Sequence, residues 1–173
     1  MFRKRHPRRK AFAAILTTLG VVATSLVVAP TANAASNVVV GLCTIKANNP
    51  HGSEHVKGTI NATGTISCSM KMTEMYIHVK IERSDGLIVS GGTDDRFNAD
   101  YLMENAATPC SNSGTWRSRV EYAIEAPAGV SPAYTANNIT SPWYPVACGV
   151  AKRAPIELEQ VVEITVPASS LKK

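Results

Sequence analysis

Three segments of the chain alternate between apolar and polar residues with a period of two: residues 75–83, 116–125 and 156–166. Successive side chains of a β-strand point to opposite faces of a sheet, so this pattern predicts strands with one buried and one hydrated face. For the last segment, β-branched residues and flanking prolines favour a strand over a helix. The side chains expected to face inward are Met75, Ile77, Val79, Ile81, Trp116, Val120, Tyr122, Ile124, Ile156, Leu158, Val162, Ile164 and Val166.

Further strands are predicted earlier in the chain, separated by turn residues. Residues 37–47 open with a β-branched run that is interrupted at Gly41. Residues 55–60 and 65–70 flank the sequence Asn-Ala-Thr-Gly, which predicts a hairpin turn with Gly64 at a position of positive φ. The Asn-X-Thr pattern in this turn also matches a glycosylation sequon, and we interpret it as turn sequence.

The middle of the chain is less regular. Ser-Asp-Gly at residues 84–86 predicts a reversal, followed by a return strand at residues 87–90. The composition of residues 91–95 predicts an exposed loop. Residues 97–107 are compatible with either a short helix or a strand. Residues 126–147 contain four prolines and predict a long ordered loop.

The number and spacing of these segments predict the fold class. Seven or eight short strands with turn residues between them are typical of an all-β protein. We expect an antiparallel β-sandwich of immunoglobulin-like architecture with two disulfides. The antibody-type Cys–Trp–Cys spacing is absent, so membership of the immunoglobulin family is not implied.

The first 34 residues have the three parts of a secretory signal peptide. Six basic residues precede residue 11, an apolar run covers residues 11–29, and Ala-Asn-Ala ends at Ala34. The apolar run is near the length that spans a bilayer, so a membrane anchor is the alternative, but the small-residue site behind it favours cleavage. We therefore expect a signal peptide at residues 1–34 and a single secreted domain at residues 35–173, without stable membrane insertion.

Removal of the leader changes the charge of the protein. Six of the 18 basic residues lie in the leader, so 12 remain against 13 acidic residues, a net charge of −1. No basic run remains to contact a phosphate backbone, and we expect no nucleic-acid partner.

Cys43, Cys68, Cys110 and Cys148 are an even set in a chain that we expect to be exported, and they most simply form two disulfides. Three connectivities are possible for four cysteines. The pairs Cys43–Cys68 and Cys110–Cys148 are favoured, because each pair brackets turn-rich sequence between two predicted strands.

His51, Glu54 and His55 form the pattern H-x-x-E-H. In inverzincin peptidases a helix presents both histidines of this pattern to zinc. Pro50 before the pattern and Gly52 inside it disfavour a helix here. We therefore interpret the histidines as exposed loop residues and predict no enzyme activity, no catalytic residue, no metal site and no cofactor. A zinc-dependent hydrolase that uses these three residues is the alternative.

Tyr134, Trp143 and Tyr144 lie in the proline-rich segment before Cys148. Rigid aromatic side chains bury much area at a small entropic cost, which makes them frequent anchors of protein interfaces. We predict that these three residues bind a partner. For Trp143 the alternative is a ring that folds inward and covers the end of the sandwich.

Two patterns of cysteines and turn residues together extend over nearly the whole expected mature chain. The first is Cys-…-Asn-Pro-His-…-His-Val-x-Gly-…-Cys from Cys43 to Cys68, and the second is Cys-…-Gly-x-aromatic-Arg from Cys110. They resemble small secreted actinobacterial two-disulfide β-proteins, mostly without assigned function. The resemblance implies the disulfide pairing favoured above and an extracellular location, and it supplies no catalytic residue.

The expected function is therefore that of a secreted, non-enzymatic module that binds another protein or a cell-surface component. The resemblance to small secreted proteins of this type suggests that the chain is an adaptor subunit in a toxin or adhesin assembly. The second hypothesis is a protease inhibitor that uses the proline-rich loop before Cys148, because such an inhibitor needs an exposed and rigid loop braced by a disulfide.

Overall fold

The computed structural model describes residues 36–111, 113–148 and 157–171, and the predicted signal peptide at residues 1–34 lies outside these ranges. The described residues form eight strands, one 3-10 helix and no α-helix. The elements are β1 (Asn37–Asn48), β2 (His51–Gly52), β3 (Thr59–Arg83), β4 (Ile88–Pro109), β5 (Gly114–Glu125), β6 (Tyr134–Thr140), β7 (Tyr144–Val146), β8 (Glu157–Pro167) and a 3-10 helix (Ala168–Leu171). Within these ranges, no helix has the length and hydropathy needed to cross a bilayer.

All strand pairs are antiparallel and belong to one sheet, in which β3 is the central strand. Along one side of β3, its first part pairs with β1 and its second part with β5. The long strand β4 pairs with both parts. The sheet therefore has a β1 half (β1, β8, residues 59–68 of β3 and 101–109 of β4) and a β5 half (β5, β6, β7, residues 72–83 of β3 and 88–99 of β4).

The β3–β4 hairpin bends where the two halves meet. In β3 the buried residues have even numbers from Ile60 to Met72 and odd numbers from Met75 to Ile81. The pairing with β4 skips from Ser67 to Met72, so extra residues of β3 are accommodated as a bulge. Beside this skip on β4, Asn98 has a φ of 52°, in the left-handed region. The change of parity keeps the apolar side chains of both halves on the inner face of the bent sheet.

The sheet curls so that its halves pack against each other around one core. A Cβ on Gly64 of the β1 half would lie 2.5 Å from Val120 Cγ2 of the β5 half. Backbone hydrogen bonds of 2.7 and 2.8 Å also join Ser131, before β6, to Thr165 of β8. The largest fully buried side chains are Trp116, Ile45, Ile60, Ile66, Met72, Met75, Ile77, Ile81, Leu102, Ile124, Ile164 and Val79.

The all-β antiparallel fold and both predicted disulfides are confirmed. Cys43 and Cys68 are direct register partners on β1 and β3, and Cys110 after β4 is bonded to Cys148 after β7. On a chain-entropy model, bridges across loops of this length stabilise the fold by about 3–4 kcal/mol each. The immunoglobulin-like arrangement of strands stays a prediction.

The inward residues of the alternating segments are mostly confirmed. Met75, Ile77, Val79 and Ile81 are fully buried, as are most of the predicted inward residues of β5. In β8 the pattern is confirmed for Ile164 and Val166, whereas Leu158 is 40% exposed. Ile156 lies outside the described residues.

Three predictions for the connecting segments are wrong. Residues 61–64 form no hairpin turn, because β3 runs through them and Gly64 faces the core. Residues 91–95 lie within β4 and do not form a loop, because Thr93, Asp94 and Asp95 pair with β3. The predicted long loop at residues 126–147 contains β6 and β7, which pair with β5. For residues 97–107 the structure selects the strand.

Candidate binding face

Four strands of the β5 half present one continuous outer face. Residues of β3 with even numbers from Glu74 to Glu82 point outward, opposite the buried residues with odd numbers. Antiparallel register places their partners on β4, β5 and β6 beside them on the same face. The rows across β4, β3, β5 and β6 are Phe97, Glu74, Glu125, Tyr134; then Asp95, Tyr76, Ala123, Ala136; and then Thr93, His78, Glu121, Asn138.

Large aromatic side chains lie at the two ends of this face. At the first end, Phe97 is 68% exposed, Tyr134 is 61% exposed and Tyr76 is 36% exposed. At the opposite end, Trp143 is 44% exposed and its ring lies over the guanidinium of Arg117, 4.3 Å from the ring centroid. This contact is a cation–π interaction, which holds the ring against the sheet while leaving one side of it in solvent.

The middle of the face is an ion-pair network around two carboxylates. Glu121 lies 2.7 Å from Lys80 Nζ, 3.3 Å from His78 Nδ1 and 3.4 Å from Arg119 Nε. The hydrogen bond from Lys80 is the main reason that the pKa of Glu121 is lowered, with smaller contributions from the charges of Lys80, Arg119 and His78.

The second carboxylate of the network, Glu82, is only 6% exposed. It accepts a hydrogen bond of 2.6 Å from Arg117 Nε, and Arg119 lies 3.9 Å away. Because its charge is neutralised by two guanidinium groups, its burial on this face is tolerated.

The structure places the three predicted partner-binding residues at two separate points. Tyr134 pairs with Glu125 at one end of β5, whereas Tyr144 pairs with Trp116 near the other end. Trp143 lies on Arg117, whereas Tyr134 pairs with Glu125, eight residues further along β5. Eight residues of an extended strand span about 26 Å. Tyr144 is half-buried and packs against the core, which makes it the weakest of the three candidates.

Sequence reasoning missed Tyr76 and Phe97 as members of this face. Tyr76 alternates in the sequence with the apolar residues of its strand, and this alternation was the available signal that its side chain points outward. Phe97 had no such signal, because its position beside Glu74 depends on the bend of β4 and its register with β3.

A groove of about 330 Å³ opens at the Tyr134 end of the face. Its lining residues are Glu74, Tyr76, Ala123, Glu125 and Tyr134. These residues belong to β3, β5 and β6, so the groove is formed by paired strands and not by a loop.

The residues of the H-x-x-E-H pattern do not form a helix. His51 lies in β2 opposite Asn61, and its Nδ1 is 3.2 Å from the carbonyl oxygen of Asn49. Glu54 and His55 are exposed in the turn that precedes β3. In the part of the chain that the structure describes, no three His, Cys, Asp or Glu side chains group to hold a metal. The absence of zinc stays a prediction for metal analysis.

Comparisons with family models, with curated proteins and with solved structures gave no match to this chain.

Proposed function

We propose that this chain is a secreted, non-enzymatic binding module whose partner is another protein, and that the outer face of the β5 half is its contact surface. The observation that supports this most is the group of exposed aromatic rings at one end of that face, Tyr76, Phe97 and Tyr134, with Trp143 exposed at the opposite end. Scattered single apolar residues are normal on protein surfaces, whereas grouped ones mark interaction sites.

The physical properties of this face suit an interface. Aromatic residues and arginine are the residue types that contribute most to binding energy in measured interfaces. The rings belong to or pack on paired strands, so little conformational entropy would be lost when a partner binds. A role as an adaptor subunit in an extracellular toxin or adhesin assembly would use such a preformed face.

The proposed extracellular location is supported by the leader pattern at residues 1–34 and by the two disulfides. Disulfides form and persist in oxidising compartments and are rare in the cytosol.

The test has two stages. The purified protein is first immobilised, exposed to the producer's culture medium and cell-surface fraction, and its bound components are identified. Affinity for the purified partner is then measured for the wild type and for the variants Tyr134→Ala and Trp143→Ala. We expect at least one variant to lose about 2 kcal/mol of binding free energy, with its thermal midpoint unchanged.

Tyr101→Ala is the matched control, because Tyr101 is a 48% exposed tyrosine on the outer face of the β1 half. The proposal fails if Tyr134→Ala and Trp143→Ala bind the partner as tightly as the wild type. Loss of stability together with affinity in Trp143→Ala would instead assign that ring a structural role.

A protease inhibitor is the second candidate function, supported by Pro142 and Trp143, which are exposed between β6 and β7 and precede Cys148 in the chain by six and five residues. The support is weaker, because the β7 backbone that follows is already paired with residues 114–116 of β5. Inhibition of a panel of serine and cysteine proteases, lost in Trp143→Ala, would favour this function.

A further inference from the structure

The groove at the Tyr134 end exists because of the small residue at its floor. Ala123 of β5 lies between its register partners Tyr76 on β3 and Ala136 on β6. A methyl group at this point leaves the space that the neighbouring side chains surround. Its volume of about 330 Å³ is at the lower end of the range for ligand pockets, about 300–1,000 Å³. It suits a single side chain better than a large cofactor.

Two carboxylates face each other in this groove. Glu74 and Glu125 are direct register partners on β3 and β5. Like charges directly opposite each other on an antiparallel pair destabilise the sheet. Among the described residues, neither carboxylate has a lysine, arginine or histidine partner, whereas Glu82 and Glu121 on the same face have two or more each.

The walls of the groove are aromatic. Tyr76 and Tyr134 both line it and both keep part of their rings exposed. The face of an aromatic ring attracts cations, and a guanidinium group both stacks on such rings and binds carboxylates with two parallel hydrogen bonds. Rings and unpaired carboxylates are thus two separate features of one groove that favour the same ligand chemistry.

We propose that this groove holds an arginine side chain of the partner protein. The proposal rests on the proposed function, because it assigns a chemical class to what the outer face of the β5 half binds. Arginine is favoured over lysine because its flat group suits the tyrosine rings and its five donors suit two opposed carboxylates. Binding would also remove the repulsion between Glu74 and Glu125.

The experiment uses the purified protein and two small probes, the capped amino acids N-acetyl-arginine amide and N-acetyl-citrulline amide. Citrulline has nearly the shape of arginine but carries no charge. Amide chemical shifts are followed by NMR as each probe is added. We expect the arginine probe to give saturable shifts at residues 74, 76, 123, 125 and 134, with at least tenfold weaker binding of the citrulline probe.

Two variants complete the design. Glu74→Gln combined with Glu125→Gln should weaken binding of the arginine probe at least tenfold, whereas Glu163→Gln, an exposed acid on β8, should not change it. Equal binding of both probes, no saturable shifts, or unchanged binding by the double variant would each overturn the proposal.

Binding of the partner protein, once the pull-down has identified it, distinguishes a failure of this proposal from a failure of the proposed function. If the double variant binds that partner normally while Trp143→Ala does not, the protein is still a binding module but arginine recognition is wrong. If the double variant, Tyr134→Ala and Trp143→Ala all bind the partner as the wild type does, the proposed function fails, even where the probe results stand.

Discussion

The outer faces of the two halves of the sheet differ in chemistry although β3 runs through both. In the β1 half the outward residues of β3 are neutral: Asn61, Thr63, Thr65 and Ser67. In the β5 half the same strand presents Glu74, Tyr76, His78, Lys80 and Glu82. The inner face is apolar in both halves because they share one core, so only the outward positions were free to diverge.

Hydrogen bonds on the two faces show the same difference. On the β1 half, amides and hydroxyls bond to one another, as in the Asn48–Thr63 contact of 2.5 Å and the Asn61–Asn105 contact of 3.2 Å. On the β5 half the contacts of the outward β3 residues are charged, and among the described residues Glu74 and Glu125 have no cationic partner. The neutral outward residues of β3 in the β1 half bond to neutral neighbours, whereas the charged ones in the β5 half leave capacity for a ligand, and this difference supports the proposed function.

The largest effect should come from a charge placed on the shared inner face. Ile77 is fully buried, so Ile77→Asp should unfold the protein, at a cost of several kcal/mol, because the carboxylate would have no partner. The control is Ser67→Asp, on the exposed outer face of the β1 half, which should fold normally. Circular dichroism with thermal melting measures both. A stable Ile77→Asp protein would show that the Ile77 side chain does not lie in the core.

A smaller loss is expected from Gly64→Val, at the contact between the halves. A Cβ there would already overlap Val120 Cγ2 at 2.5 Å, so the added side chain must push the halves apart, at about 2–3 kcal/mol. Thr65→Val, the next residue but on the outer face, is the matched control and should change stability by less than about 0.5 kcal/mol. Urea unfolding that gave equal values for both would contradict the packing of Gly64 against β5.

The ion-pair network should make the β5 half sensitive to acid. The pKa of Glu121 is lowered from its ordinary value of 4.5, mainly by the hydrogen bond from Lys80, so its stabilising effect is complete above that value. It is lost as the pH falls through the lowered pKa. We expect Glu121→Gln to lose about 1 kcal/mol at pH 7 and progressively less below pH 4.

Glu159→Gln provides the comparison in the β1 half. Glu159 makes a 3.5 Å ion pair with Lys46, and both side chains are well exposed, so its loss should change stability little at any pH. Urea unfolding from pH 7 to pH 3 measures both variants. A Glu121→Gln deficit that stayed constant over this range would show that the charge of Glu121 contributes nothing to stability.

The smallest effect should have the opposite sign. Glu125→Gln removes the repulsion with Glu74 and should stabilise the protein by about 0.5 kcal/mol. Glu163→Gln, on the outer side of β8, should leave the midpoint unchanged. A stabilised Glu125→Gln variant would indicate that the groove keeps its charge at a cost in stability, as binding sites often do. A destabilised variant would mean that Glu125 has a favourable contact on the sheet.

The sequence was sufficient for those features that local pattern determines. The alternation of residues 75–83 correctly placed Ile77 and Val79 inside, and bracketing by predicted strands correctly paired the cysteines. Gly64 was interpreted as a turn residue because its role depends on Val120, 56 positions later in the chain. A close approach between distant segments leaves no local signal in the sequence.

The candidate site was only partly predictable for the same reason. Tyr134 and Trp143 were chosen because rigid aromatic residues stand out in a proline-rich segment. The groove itself requires the register of β3 with β5 and of β5 with β6, which brings Glu74 opposite Glu125 and next to Tyr134. Residues that are separated by 60 positions in the chain become neighbours only through this pairing.

The position of the Cys43–Cys68 bridge has a mechanical consequence. Asn37 and Pro167 are partners at one end of the antiparallel pair β1–β8. A force that pulls these two residues apart would therefore break the hydrogen-bonded pairing of β1 and β8 sequentially, starting from that end. Cys43 and Cys68 are the first pair of register partners between β1 and β3 from that same end. Peeling of β1 from β3 would therefore meet a covalent bond before it breaks any of their pairing. The disulfide passes the tension directly to Cys68, so the chain between the two cysteines, residues 44–67, carries no load until the disulfide is reduced.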